Sequence, residues 1–315
     1  MKKLFKNCLS VQERDGWLIP IRFTKSQMDT YSLADNFAIR SLATSSVILS
    51  FKSAAKKISF EYRITGKARD WANLDVVCDG LLRESINITA DSGMLEIKLP
   101  GDGEVETHIY LPHLVCFELR NISSDEPLIP TQKKSKVWLA LGDSITQGMV
   151  AQRPSCTYPS LLSERFGLEL INAGVGGIVF NADELDYIGL EPDLITVALG
   201  CNDWGCEKDT FKTNVTDYTE KLISIYKSEN IHFILPIWRS DAEEINPGMT
   251  FLEHRDVIKE VVSRYPFINV IDGYTLVPHI KDFFGDPGDR KVHPNDEGFL
   301  RYALALTKHI KFENV

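Results

Sequence analysis

The sequence predicts two folded units in series: an all-β sandwich of jelly-roll type over residues 1–130, then an α/β domain with a mainly parallel sheet over residues 131–315. Three observations carry this expectation. At 315 residues the chain is long for one compact core. Up to about residue 125 the apolar residues fall in short alternating runs, the pattern of half-buried strands. Beyond a proline-bearing charged segment, that pattern gives way to buried apolar runs separated by helical periodicity.

In the first half, strand-like runs occur at residues 17–23, 46–51, 58–64, 74–78, 94–99, 107–111 and 115–120. Turn signals separate them, among them Asp79-Gly80, Asp91-Ser92-Gly93 and Pro100-Gly101-Asp102-Gly103. Many short strands at nearly even spacing point to a sandwich or jelly roll. Residues 126–136 carry Pro127, Pro130 and the basic cluster Lys133, Lys134 and Lys136, and read as a solvated linker.

In the second half, residues 137–141, 168–172, 194–199, 232–237 and 267–271 are apolar runs of the kind that both faces of a parallel sheet bury. A helix is predicted over 214–229, from apolar Val215, Tyr218, Leu222, Ile223 and Tyr226, and a last one over 296–310. In such a sheet, functional groups gather outside the carboxyl ends of the strands.

Composition narrows the function. Hydrophobic residues at 43% and charged residues at 25% describe an ordinary globular protein rather than a disordered one. A net charge of -9 argues against nucleic acid, whose binding rests on basic groups neutralising phosphates. No apolar run is long enough to span a bilayer, and the N-terminus lacks the apolar stretch of a secretory leader, so a cytoplasmic protein with no membrane partner is expected. Six scattered cysteines form no CxxC pair and no zinc spacing, so reduced thiols, no metal and no cofactor are expected.

Four segments at or after predicted strand ends carry chemistry. Gly142-Asp143-Ser144 follows the first strand of the second half, placing a serine where a helix N-terminus favours a developing anion; a plain N-cap is the alternative use. Asn172-Ala-Gly174-Val-Gly176-Gly177 follows the second, and its glycines allow close approach of backbone N–H groups, as at Gly177, to an oxyanion; a tight turn reads equally well. Gly200-Cys-Asn202-Asp203 follows the third, offering an uncharged carboxamide donor or a turn. His293-Pro294 precedes the last helix, held by the proline and the capping Asn295, and is the best general base in the chain.

These four segments, in this order, resemble the blocks of the SGNH (GDSL-like) hydrolase family. The resemblance implies a flavodoxin-like three-layer α/β/α domain with Ser144 as nucleophile and His293 as general base. It also implies an oxyanion hole built from the Ser144 N–H, Gly177 and Asn202, and an esterase working through an acyl-enzyme. One position departs from the family, which carries its catalytic aspartate three residues before the histidine, where this chain has Arg290. Asp289 is the first choice for the acid; Asp286, or a Ser–His dyad held by a backbone carbonyl, are the others.

The N-terminal half resembles the jelly-roll domain preceding the catalytic domain in a subset of this family, some of whose members are acyltransferases. Acyl transfer from the same site is therefore one alternative. An inactive protein binding carbohydrate through exposed aromatics such as Trp71 is another. The polar stretch around Arg239, Asp241, Glu243 and Glu244 offers no apolar lid, which favours a short acyl group on a small-molecule or carbohydrate carrier.

Overall fold

A computed structural model describes residues 1–227, 230–286 and 291–311. Two antiparallel sheets form the first half. One orders Phe5–Lys6, Ile48–Ser53, Val105–Tyr110, Asn73–Cys78 and Leu81–Asn87; the other orders Ser10–Arg14, Trp17–Ile21, Val115–Ser124, Lys57–Lys67 and Ser92–Lys98. Alternate residues point inward, so Ile58, Phe60 and Tyr62 of one strand meet Phe117 and Leu119 of its neighbour and Phe51, Leu74 and Val76 of the facing sheet in one core. All seven expected runs form strands.

Several elements depart from the sequence reading. Ser10–Arg14 and Leu81–Asn87 are edge strands whose residues are almost all solvent-facing, so they carry no apolar alternation to detect. The expected linker contributes a strand of its own, Ile129–Pro130, against Phe51 and Lys52. Two helices, Lys25–Tyr31 and Asp35–Leu42, interrupt the strands. The first starts in a capping box between Thr24 and Gln27, a T-x-x-Q signal that is legible in the sequence.

The second half is a five-stranded parallel sheet ordered Leu168–Gly174, Lys136–Gly142, Leu194–Ala198, Ile231–Ile234 and Ile268–Ile271. In chain order this is 2-1-3-4-5, the flavodoxin-like arrangement, and the strand order reverses beside Lys136–Gly142. Trp138 and Ala140 face Tyr158–Phe166 and Asp296–Leu306; Leu139 and Leu141 face Lys208–Ile225 and Phe251–Val262. Helices thus cover both faces. The strand predicted over 232–237 stops at Ile234, two residues before Pro236, which has no N–H for the ladder.

The halves are joined through buried polar contacts. Asn7 accepts from Leu170 N at 3.0 Å, while its own N–H donates to Glu169 at 3.1 Å, covering the edge strand Leu168–Gly174. Phe23 and Tyr31 pack into the same cluster as Leu139 and Ile171 beneath the parallel sheet. Among the described residues no helix is long and apolar enough to cross a membrane.

Candidate active site

Ser144 stands directly past the first parallel strand, at the start of a four-residue helix, Ser144–Gln147. The preceding Asp143 caps that helix, its carboxylate accepting from Ile145 N at 2.9 Å, so the cap is Asp143 and the Ser144 side chain is left for other work. Burial, opposed chiefly by that hydrogen bond, raises the Asp143 pKa to about 6. The helix turns so tightly onto the strand that a Cβ on Gly142 would lie 2.0 Å from Thr146 Oγ1; only glycine fits.

His293 reaches Ser144 from the far end of the domain. Its Nε2 lies 2.7 Å from Ser144 Oγ, and its Nδ1 lies 2.6 Å from Asp286 Oδ1. The other Asp286 oxygen accepts from the backbone N–H of His293 at 2.6 Å and of Val292 at 2.8 Å. A short antiparallel bridge between Phe284 and Pro294, with Gly285 N donating to His293 O at 3.0 Å, closes the loop that brings Asp286 back to the histidine. Burial alone would raise the Asp286 pKa, but the hydrogen bonds donated by the His293 side chain and by the His293 and Val292 backbone outweigh it and hold the carboxyl below its usual range. An ionised carboxylate only accepts, so His293 Nδ1 carries the proton and Nε2 faces the serine hydroxyl as acceptor. Asp289, the first choice from sequence, lies outside the described residues; the Nδ1 partner is Asp286.

The other two strand-end segments follow the strands that flank Lys136–Gly142 on either side. Asn202 Nδ2 donates to Ile178 O at 2.9 Å, fixing the carboxamide beside Gly177 with one N–H to spare. Gly177 has φ +87°, which glycine tolerates. Among the described residues neither Ser144 N nor Gly177 N donates to another group. Ser144 N, Gly177 N and the second Asn202 Nδ2 hydrogen are thus uncommitted among the described residues.

Residues that sequence reading missed hold this loop in place. Gln147 accepts from Gly176 N at 2.7 Å and donates to Arg40 O at 3.0 Å, while Arg40 Nη1 donates to Gly176 O at 2.6 Å. Arg22, fully buried, donates to Asn172 O, Gly174 O, Ala43 O and Arg40 O. Asp203 accepts from Phe180 N at 2.9 Å. Burial pushes the Asp203 pKa up to about 7, and burial with the Asp203 charge pushes Glu184 up to about 8. No spacing in the sequence marks Arg22 or Arg40, which lie over a hundred residues before the serine.

Other expectations resolve at this level. Trp71 is not a free sandwich aromatic: it packs on Leu114, Met149 and Val150, with Nε1 donating to Ala151 O at 3.4 Å. The buried His113 and His254 face the carbonyls of Gly148 and Gly200, and burial lowers the pKa of each to about 4. Among the described residues no group of three or more metal-ligating side chains occurs, and Cys8, Cys78, Cys116 and Cys201 are buried free thiols.

Comparison with known proteins agrees with the order of the motifs. Residues 140–300, just over half of the chain, match the GDSL-like lipase/acylhydrolase family. The chain belongs to that family. Its GDSL-like segment begins inside the strand leading to Ser144 and ends in the helix after His293. No curated protein sequence matches significantly. Solved structures share the whole two-part architecture. A salicylyl-acyltransferase from a tetracycline biosynthetic pathway superposes with a TM-score of 0.80 at 22% identity, over 96% of this chain and 92% of that one. A candidate GDSL-like lipase from Bacteroides ovatus gives 0.77 at 18%, over 99% and 97%. A family two carbohydrate esterase from Clostridium thermocellum, solved with cellohexaose, gives 0.66 at 15%, over 85% and 93%. At these identities the likeness speaks for the fold.

Proposed function

We propose that this GDSL-like protein hydrolyses a carboxylic ester, with Ser144 as nucleophile, His293 as general base and Asp286 as the acid that orients the imidazole. The observation that carries the reading is the unbroken line of hydrogen bonds from Asp286 through His293 to Ser144. Ser144 Oγ attacks the carbonyl carbon as its proton passes to His293 Nε2; the Ser144 and Gly177 N–H groups and Asn202 Nδ2 receive the oxyanion. Collapse of the tetrahedral intermediate returns that proton to the leaving alcohol. Water, deprotonated by the same histidine, then releases the acid and restores Ser144. No step calls for a cofactor.

We propose further that the acyl group is short and its carrier polar, of carbohydrate type, and that residues 1–130 serve as a scaffold for residues 131–315. Crowding of Gly177 by Arg40 and Phe37, 2.8 and 3.3 Å from where its Cβ would stand, supports a small group there. A panel of p-nitrophenyl esters of rising chain length, followed by acetylated oligosaccharides, tests the substrate; product analysis with added alcohols separates hydrolysis from acyl transfer. Ser144→Ala abolishes turnover in folded protein, and a serine-directed phosphonate labels wild type alone. Near-wild-type activity in the variant removes Ser144 from the chemistry, and wild type that neither turns over nor labels is a binding protein.

A further inference from the structure

The rim of the site carries two arginines that no carboxylate pairs among the described residues. Arg40 spends Nη1 on Gly176 O, at 2.6 Å, and Arg69 spends Nη1 on its neighbour Ala68 O, at 3.3 Å. Elsewhere around the site the pattern is opposite: Arg153 is paired to Asp296 and Arg239 to Asp241. Arg40 lies against the oxyanion loop, its Nη1 2.8 Å from where a Gly177 Cβ would stand. Arg69 lies two residues before Trp71, which is seated on Met149 and Val150, and Met149 in turn touches Gly176 beside Arg40. They are near enough that, after burial, the charge of Arg69 lowers the Arg40 pKa. In a chain of net charge -9, two half-buried cations that no carboxylate pairs among the described residues are costly unless an anion joins them.

We infer that Arg40 and Arg69 receive an anionic group of the substrate, so that the preferred ester carries a carboxylate on its acyl or its alcohol part. This rests on the esterase reading and adds the charge of the substrate to it. Each guanidinium keeps N–H groups free for a carboxylate, in the planar fork such pairs use.

Two matched pairs of esters test the inference: 4-acetoxybenzoate against its methyl ester for the alcohol side, and the mono-p-nitrophenyl ester of adipate against p-nitrophenyl hexanoate for the acyl side. Within each pair, the ratio of kcat/KM for the charged over the neutral ester is compared between wild type and variants, so that differences in leaving-group reactivity cancel. In the pair that matches the natural substrate, Arg69→Gln and Arg40→Gln each lower that ratio about tenfold. Arg69→Lys keeps a larger share of it than Arg69→Gln, since lysine retains the charge and loses the fork, whereas a packing role would not distinguish the two. Salt at about 0.5 M lowers the wild-type ratio through screening. A ratio within twofold of wild type in both glutamine variants and both pairs overturns the inference while leaving the esterase reading intact.

Wild type that hydrolyses none of the four esters counts against the esterase reading instead. Calorimetric titration of Ser144→Ala then decides the charge inference alone. In at least one of the two pairs the charged ester binds about tenfold tighter than its neutral partner and loses that margin when Arg69→Gln is added; equal binding within both pairs overturns the inference.

Discussion

Replacing Asp286 by asparagine separates the roles of its two oxygens. Oδ2 accepts from two backbone donors, His293 N at 2.6 Å and Val292 N at 2.8 Å, whereas Oδ1, among the described residues, accepts only from His293 Nδ1, at 2.6 Å. An asparagine has one carbonyl oxygen and one NH2. Placing the NH2 toward Val292 and His293 would set it against two N–H donors, so the oxygen takes the Oδ2 position and the NH2 faces the imidazole. Nδ1 must then accept, which moves the ring proton to Nε2 and deprives Ser144 of its acceptor. The best-studied triad loses about ten-thousandfold in kcat on this change, about 5.4 kcal/mol in barrier. A comparable loss is expected here in steady-state hydrolysis of p-nitrophenyl acetate, with far-UV circular dichroism unchanged because both backbone hydrogen bonds survive. With Nδ1 held by Asp286, Asp289→Asn should cost under about tenfold, or roughly 1.4 kcal/mol. An Asp286→Asn rate within tenfold of wild type would refute the reasoning, and a severe loss for Asp289→Asn would return the acid to that residue.

Asn202→Ala removes one oxyanion donor and is expected to lower kcat by about a hundredfold or more, since such a donor contributes about 2.7 to 4 kcal/mol. An effect confined to KM would make Asn202 a substrate-binding residue instead. Glu184 is expected to make stability depend on pH. Burial first, and then the charge of Asp203, raises its pKa from the usual 4.5 to about 8, so between those values the folded chain holds a proton that the unfolded chain has released. Stability therefore falls as pH rises through that window. Urea unfolding of Glu184→Gln should show a shallower decline, smaller by on the order of a few kcal/mol between about pH 5 and about pH 8, with the raised Asp203 and Asp143 keeping the remainder; an unchanged slope would show that Glu184 ionises freely in the folded state.

Much of this protein is legible one segment at a time. The alternation of Ile58, Phe60 and Tyr62 is a period-two signal that needs no partner to be seen, and a run such as 168–172 declares burial on both faces by composition alone. The Gly-Asp-Ser, Gly-Gly, Gly-x-Asn-Asp and His-Pro segments stand out because each marks a strand end or a helix start, and their order along the chain matches a family. Edge strands such as Ser10–Arg14 escape this reading, since a strand that faces solvent on both sides has no pattern to repeat.

What holds those segments in register is not local. Asp286 becomes the partner of His293 through a loop closed by the Phe284–Pro294 bridge, and spacing along the chain favoured Asp289 because it cannot report which carboxylate a closed loop turns inward. Arg22 and Arg40 come to the glycine-rich loop after Leu168–Gly174 from a helix-bearing insertion in the sandwich, joined to Asn172, Gly174 and Gly176 by hydrogen bonds spanning more than 130 residues. Periodicity records which face of an element is apolar, a property each residue carries by itself. The hydrogen-bond partner of a buried cation or carboxylate is set by chain packing, and only the tertiary structure holds that information.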